Sequence, residues 1–85
     1  MRLQPTERFV KDYERLPQRL QRQVDKALGF LLEDPRHPSL QIKKIKGSRD
    51  RWEGRVTLHY RFIFTIQADA YLLLRVGTHD LLKRS

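Results

Sequence analysis

The spacing of apolar residues changes once along this chain, from a helical period to a strand period, and this change constrains the fold more than any other feature. Up to residue 34 the apolar residues recur every three or four positions, whereas from Trp52 they alternate with polar ones. Two helices are therefore predicted, one capped by Thr6 and ending at Pro17, the other beginning with Pro17 in its first turn and stopping at Asp34-Pro35. Because glycine disfavours a helix by about 1 kcal/mol relative to alanine, Gly29 predicts close packing against another element.

The alternating stretch that starts at Trp52 predicts a β-hairpin. It runs to Ile66 and is too long for one ordinary strand, so a turn must interrupt it. A three-residue loop at Thr57-Leu58-His59 would set Arg55 opposite Arg61 and leave Glu53 on the same face. The aromatic side chains would then lie together on the other face, where we expect them to belong to the core.

The remaining segments complete an α+β fold. Residues 71–76 are apolar enough to form a central strand buried on both faces, residues 2–4 can add an N-terminal edge strand, and residues 35–50 are predicted to form a loop. The predicted architecture is a single domain over residues 1–85 in the order β-α-α-β-β-β. A two-helix antiparallel hairpin packs on one face of a small, curved, mainly antiparallel sheet, and a short C-terminal turn or helix follows.

Positive charge is concentrated in one part of the chain. The net charge is +8, yet residues 7–34 carry six basic and six acidic side chains, whereas residues 41–61 carry seven basic side chains against only Asp50 and Glu53. A solvated, mixed-charge surface would explain an even distribution but not this segregation. The pattern indicates an anionic partner and favours nucleic acid.

Several other classes of protein are disfavoured by composition. The chain has no cysteine and three scattered histidines, so we expect neither a disulfide framework nor a metal site, and no cofactor. No signal-peptide core is visible at the N-terminus, and the longest apolar run, Leu72-Leu73-Leu74, is far below the roughly 18 residues of a membrane span. We therefore predict a cytoplasmic protein without a membrane partner.

An ordered set of short motifs resembles the RelE/ParE toxin superfamily of type II toxin–antitoxin systems, and the resemblance leans toward its RelE-like, messenger-cleaving branch. The motifs, which extend over nearly the whole chain, are Phe9-Val-Lys-Asp-Tyr13, Asp34-Pro35, His37-Pro-Ser-Leu40, Lys44-Ile-Lys-Gly47, Trp52-Glu-Gly-Arg55, Tyr60-Arg-Phe-Ile-Phe64 and Val76-Gly-Thr-His-Asp80. The resemblance implies a toxin that enters the A site of the 30S ribosomal subunit and cleaves mRNA there without a metal. The ribose 2′-hydroxyl would attack the adjacent phosphate. The resulting cleavage of the mRNA would inhibit translation.

The same resemblance implies roles for four residues. Arg61 matches the family's phosphate-stabilising arginine, Arg55 matches a basic strand position that faces the cleaved phosphate, and His79 stands where relatives carry the general acid. Glu53 is the candidate base, although an ordinary cross-strand ion pair with Arg55 or Lys44 is an alternative for it. The RNA-binding candidates are Lys43, Lys44, Lys46, Arg49, Arg51, His59, Asp80, Lys83 and Arg84.

Two alternatives and one departure accompany this interpretation. Many relatives end with an aromatic residue that stacks on a nucleotide, whereas this chain ends Leu81-Leu-Lys-Arg-Ser85. The alternatives are a ParE-like inhibitor of DNA gyrase and a non-catalytic module that binds RNA or an antitoxin. The expected partners are a cognate antitoxin, the ribosome and mRNA, with DNA contacted only through the toxin–antitoxin complex.

Overall fold

Residues 1–83, which the computed structural model describes, form an α+β sandwich in which two helices pack on one face of a five-stranded sheet. The predicted fold class is confirmed, with one additional short strand in the segment predicted to be a loop. The elements are β1 (Arg2–Pro5), α1 (Glu7–Glu14), α2 (Gln18–Glu33), a 3-10 turn (Pro38–Leu40), β2 (Lys43–Lys44), β3 (Arg51–Arg55), β4 (Tyr60–Gln67), β5 (Ala70–Thr78) and α3 (His79–Lys83).

The helix boundaries follow the predicted signals except at the end of α1, which lies at Glu14 and not at Pro17. The Thr6 hydroxyl accepts a 3.2 Å hydrogen bond from the backbone N–H of Phe9, which caps α1. Pro17 is the N-cap of α2 rather than a residue of its first turn, one position from the prediction. The Asp34-Pro35 stop is confirmed, since α2 ends at Glu33. None of the helices within residues 1–83 is long and apolar enough to cross a membrane.

The prediction that Gly29 packs closely against another element is wrong, and the close approach is found at Gly54 instead. In the described structure, no neighbouring side chain or other element lies within 4 Å of the position that a Cβ on Gly29 would occupy. At Gly54, in β3, the ring of Phe62 on the adjacent strand fills that position. Glycine is therefore required at position 54, where the ring of Phe62 lies against the backbone of β3, and is not required by packing at position 29 of α2.

The sheet has the order β1-β5-β4-β3-β2, with β1 parallel to β5 and the other pairs antiparallel. The predicted hairpin turn is confirmed, because Arg55 pairs with Arg61 and the Val56 N–H donates a 2.9 Å hydrogen bond to the Tyr60 carbonyl. The β4–β5 register shifts between Ile63 and Phe64, so that Leu74 is an extra residue in β5. Such a bulge changes the direction in which the next side chains point.

The core lies between the helices and one face of the sheet, and it includes Val24, Leu31, Phe62 and Leu73, each almost fully buried. Strand β5 lies inside the sheet as predicted, but it is not buried on both faces. Leu72, Leu74 and Arg75 are only partly buried. The helices cover one side of this strand and leave the other side open, and that open side contributes to the site described below.

A hydrogen bond joins the two helices at their exposed edge and makes a titration prediction possible. The Tyr13 hydroxyl donates to Asp25 Oδ1 at 2.8 Å, and this bond, with smaller contributions from burial and from the carboxylate charge, raises the pKa of Tyr13 above its ordinary value. A raised phenol pKa means that this interaction stabilises the fold below the unfolded pKa and that its contribution disappears as pH rises through the folded pKa. Asp25→Asn should lower the pKa of Tyr13, measured by NMR titration of its ring resonances; an unchanged pKa would contradict the assignment.

Candidate functional site

A basic groove crosses the sheet face that points away from α1 and α2. Its volume is about 1040 Å³, and it lies between the segment 43–51 and helix α3. Ile63 of β4 and Leu74 of the adjacent β5 form an apolar part of its lining. The groove is partly open to solvent, unlike the enclosed pockets that bury most of the surface of a small-molecule ligand.

Positive charge dominates this groove. Two carboxylates line it, Asp50 and Glu53, against seven lysine and arginine side chains. These seven are Lys43, Lys44, Lys46, Arg49, Arg51, Arg75 and Lys83. A concave surface with one dominant sign of charge attracts polyanions and increases their local concentration. Within residues 1–83, no group of three histidine, cysteine, aspartate or glutamate side chains is arranged to hold a metal ion.

Glu53 is a buried carboxylate in the wall of the groove. Its side chain is 11% exposed, and one carboxylate oxygen lies 3.5 Å from Lys43 Nζ on the adjacent strand. The ion-pair partner is therefore Lys43 rather than the Arg55 or Lys44 expected from the sequence. Glu53 is also in register with Ile63, which in turn pairs with Arg75, so the three side chains occupy one row across β3, β4 and β5. Two strand spacings separate the backbones of Glu53 and Arg75 by roughly 10 Å.

His79 lies at the end of β5, where the chain leaves the sheet and begins α3, and its side chain lines the groove. Its backbone N–H donates a 3.0 Å hydrogen bond to the His59 carbonyl in the β3–β4 turn. The start of α3 is thereby fixed to the hairpin, which holds the imidazole at one end of the same sheet face that carries Glu53. The sequence predicted that Glu53 shares a sheet face with Arg55 and Arg61, and the register confirms that part of the arrangement.

Arg61 is engaged in the hairpin turn. Its Nη1 donates to the carbonyl oxygens of Thr57, Leu58 and Tyr60 at 2.5, 2.9 and 3.1 Å. The guanidinium thereby provides a side-chain donor for three backbone carbonyls of the turn. Arg55 pairs with Arg61 across the strands, as predicted, but neither arginine lines the groove in this conformation.

The sequence and the fold that carry this basic groove can be compared with those of known proteins. The sequence model described as the ParE toxin of the type II toxin–antitoxin system parDE matches residues 3–80. The chain belongs to this toxin family. This also confirms membership of the wider RelE/ParE superfamily that the motifs indicated.

Solved structures similar to this toxin share its fold. A YoeB/ParE toxin from Agrobacterium tumefaciens has a TM-score of 0.79 at 20% identity, over 93% of this chain and 99% of that one. YafQ from E. coli strain BL21(DE3) has a TM-score of 0.79 at 15% identity, over 94% of each chain. RelE in the RelB–RelE antitoxin–toxin complex from Methanococcus jannaschii has a TM-score of 0.77 at 21% identity, over 95% of each. No curated protein matches the toxin's sequence.

The groove gathers many of the predicted residues of this toxin but not all of them. Those that line it are Lys43, Lys44, Lys46, Arg49, Arg51, Glu53, His79 and Lys83. His59 and Asp80 are exposed next to its end without lining it, and Arg84 lies outside the described residues. The catalytic and RNA-binding roles of all these residues stay predictions.

The sequence prediction of the site missed a basic residue of the groove, Arg75. It stands alone after Leu72-Leu73-Leu74 in an apolar strand, which was the first signal. The second signal was Asp12, which has the helical spacing that places it on one face with the apolar residues Phe9 and Leu16 in the predicted first helix. Two opposite charges, each placed where an apolar side chain was expected, indicate a buried ion pair in this toxin.

Proposed function

We propose that this toxin is a ribosome-dependent mRNA endonuclease that cleaves by metal-independent attack of the ribose 2′-hydroxyl on the adjacent phosphate and so inhibits translation. The observation that carries the proposal is the groove itself. It combines a buried carboxylate, Glu53, with an accessible histidine, His79, and a basic wall formed by residues 43–51. These are the three kinds of group that this reaction requires.

Each group has one role in the proposed reaction. Glu53 accepts the proton of the 2′-hydroxyl as the 2′-oxygen bonds to phosphorus. Lys43, next to Glu53, stabilises the negative charge that develops on the phosphorane. His79 donates a proton to the 5′-oxygen as the phosphorus–oxygen bond breaks, since histidine side chains exchange protons readily near neutral pH. The products are a 2′,3′-cyclic phosphate and a 5′-hydroxyl, and the protein carries no net proton change once His79 and Glu53 have exchanged protons with water.

The arginines predicted to stabilise the phosphorane act from the end of the groove. Arg55 and Arg61 share a face with Glu53, and Gly77 pairs with Arg61 on the next strand. In this conformation the guanidinium of Arg61 bonds the carbonyls of the turn, so that contact with phosphate would require it to exchange those partners. Binding of the message would then couple phosphate contact to a local rearrangement of the hairpin turn.

The proposed partners follow from the same groove. We infer a cognate antitoxin, as in the RelB–RelE complex, and an acidic segment of that antitoxin would neutralise the basic wall. The ribosome and mRNA are the other proposed partners, and the proposed site of action is the cytoplasm. An antitoxin that binds over the groove would block RNA entry and catalysis together.

The test is to express the toxin briefly in cells and map the 5′ ends of messenger RNA by primer extension. We expect cuts phased with codons, whose downstream fragments carry a 5′-hydroxyl and can be labelled by a kinase without prior dephosphorylation. The double variant Glu53→Gln/His79→Gln, produced at the same level, should give no such cuts. Uncut messenger RNA in cells whose growth is arrested by the wild-type toxin would overturn the proposal.

A second candidate function is inhibition of DNA gyrase, favoured by the match of residues 3–80 to the ParE toxin family. Gyrase-catalysed supercoiling of plasmid DNA in the presence of purified toxin distinguishes the two functions. Loss of supercoiling with intact messenger RNA would assign the toxin to gyrase inhibition. Normal supercoiling with codon-phased cleavage would exclude gyrase as the target.

A further inference from the structure

The ion pair between Asp12 and Arg75 joins helix α1 to the groove. Arg75 Nε donates to Asp12 Oδ2 at 2.7 Å and Nη2 donates to Oδ1 at 3.3 Å, while the backbone N–H of Val76 donates to Oδ2 at 3.2 Å. The side chains are 8% and 13% exposed for Asp12 and Arg75 respectively. The carboxylate thus accepts three hydrogen bonds, and its position is fixed by both the strand backbone and the guanidinium.

The topology explains why a helical side chain reaches the sheet here. Strand β1 pairs with β5 only from Ala70 to Leu73, and α1 then runs beside the uncovered part of β5. Asp12 takes the place of a neighbouring strand as the acceptor for the Val76 N–H. The bulge at Leu74 then brings two consecutive side chains, Leu74 and Arg75, to the groove, although consecutive residues of a regular strand point to opposite faces.

The guanidinium has one edge bound and one edge free. Its Nε and one hydrogen of Nη2 are used by Asp12, whereas Nη1 has no protein acceptor. Within residues 1–83 every buried polar side-chain atom has a partner, so Nη1 is accessible to solvent, and Arg75 is one of the residues that line the groove. The edge formed by Nη1 and the second hydrogen of Nη2 has the geometry that binds two oxygens of one phosphate.

Stability alone does not explain the choice of these residues. A buried ion pair is often no more stabilising than a well-packed apolar pair of similar volume, because both charges lose their hydration. Here the arginine is held rigidly beside a groove already lined with lysines and arginines, with a free donor edge. A preoriented guanidinium loses less conformational entropy on binding phosphate than a mobile one would.

We propose that Arg75 is a phosphate-binding residue of the groove, that Asp12 is its positioning residue, and that the ligand is a phosphodiester of single-stranded RNA. This inference rests on the proposed function, in which the groove receives RNA. Arg75 and the basic segment 43–51 line the same groove, so that a strand lying in it would have cationic groups on both sides. Arg75 would fix the position of one phosphate relative to Glu53 in the same row.

The experiment measures the affinity of the purified full-length toxin for a labelled 2′-O-methyl RNA oligonucleotide, which cannot be cleaved, by fluorescence anisotropy over a series of salt concentrations. Arg75→Gln should weaken binding about tenfold at low salt, the effect of one charge-assisted contact. It should also reduce the slope of log affinity against log salt by about 0.7, the value for one phosphate contact on a single strand. Arg75→Lys should keep the slope and recover only part of the affinity.

Two further variants separate positioning and net charge from direct contact. Asp12→Asn keeps the arginine but removes its fixed carboxylate, so affinity should fall while the salt slope stays at the wild-type value. Arg2→Gln removes one positive charge outside the groove, from an exposed pair with Asp69, and should change neither quantity. Circular dichroism and thermal melts report whether each variant is folded.

The outcomes distinguish this inference from the proposed function. A folded Arg75→Gln variant with wild-type affinity and salt slope, but a lower melting temperature, would assign the pair a structural role only and overturn the inference. If Arg75→Gln does not fold, wild-type affinity in both Arg75→Lys and Asp12→Asn would overturn it equally. A wild-type toxin that binds no RNA at any salt concentration would instead overturn the proposed function, and this inference with it.

Discussion

Replacing His79 with glutamine is expected to lower the rate of RNA cleavage by about 10²–10⁴-fold, the usual contribution of a positioned general acid. The side chain is exposed and lines the groove, so the substitution leaves the core untouched. The hydrogen bond that fixes this position comes from the backbone N–H and is retained in the variant. Glutamine can still donate a hydrogen bond to RNA, but it cannot transfer a proton, so cleavage should be lost far more than binding.

The measurement is the rate of cleavage on ribosomes carrying a defined messenger RNA, with binding measured separately on the 2′-O-methyl oligonucleotide. His37→Gln is the matched control, because this histidine stacks on Phe30 and its Nδ1 accepts a hydrogen bond from the backbone N–H of Ser39, away from the groove. It should cleave at the wild-type rate when folded. Undiminished cleavage by His79→Gln would remove His79 from the reaction.

The second prediction concerns stability. Replacement of glycine by alanine should lower the free energy of unfolding at Gly54 and raise it at Gly29. Gly54→Ala places a methyl group where the ring of fully buried Phe62 lies, and overpacking of this kind destabilises a domain by about 1–3 kcal/mol. Gly29→Ala adds the same methyl group to α2, where there is open space, and should stabilise by about 0.5–1 kcal/mol through helix propensity. The chemical change is identical, so only the surroundings can decide the sign.

Thermal melts of the two variants test this directly, since about 1 kcal/mol shifts the melting temperature of a domain this size by about 4–8 °C. Adding Phe62→Leu to Gly54→Ala should restore part of the lost stability relative to the sum of the single effects, because a smaller side chain vacates the shared space. If the effects of Gly54→Ala and Phe62→Leu simply add, or if Gly29→Ala lowers the melting temperature, the packing around these glycines differs from that described.

Local signals were sufficient to predict most of the fold. The Thr6 cap, the Asp34-Pro35 stop and the two-residue periodicity after Trp52 act within a few residues, and each was found where the sequence placed it. The hairpin turn was predictable because a shift by one residue would move the aromatic residues out of the core. Strand β2 was not predictable, because two lysines form it only by pairing with Trp52 and Glu53 of β3.

The candidate site was predictable where strand register alone defines it. Glu53 shares a face with Arg55 and Arg61 because residues two apart on a strand point the same way. Arg75 escaped prediction because its position depends on a bulge and on a partner 63 residues earlier in the chain. The engagement of Arg61 with the turn carbonyls was also hidden, since it depends on the rotamer of a long side chain and not on strand register.

The strand order also bears on how copies of this protein behave toward one another. Both outer strands are short, with four residues in β1 and two in β2. One contains Arg2 and Pro5, and the other consists of Lys43 and Lys44. Short, positively charged edges and a proline are features that prevent edge-to-edge strand pairing and aggregation. Two copies brought edge to edge at β2 would place these lysines against each other, so the lysines that line the groove also oppose edge-to-edge pairing of the sheet.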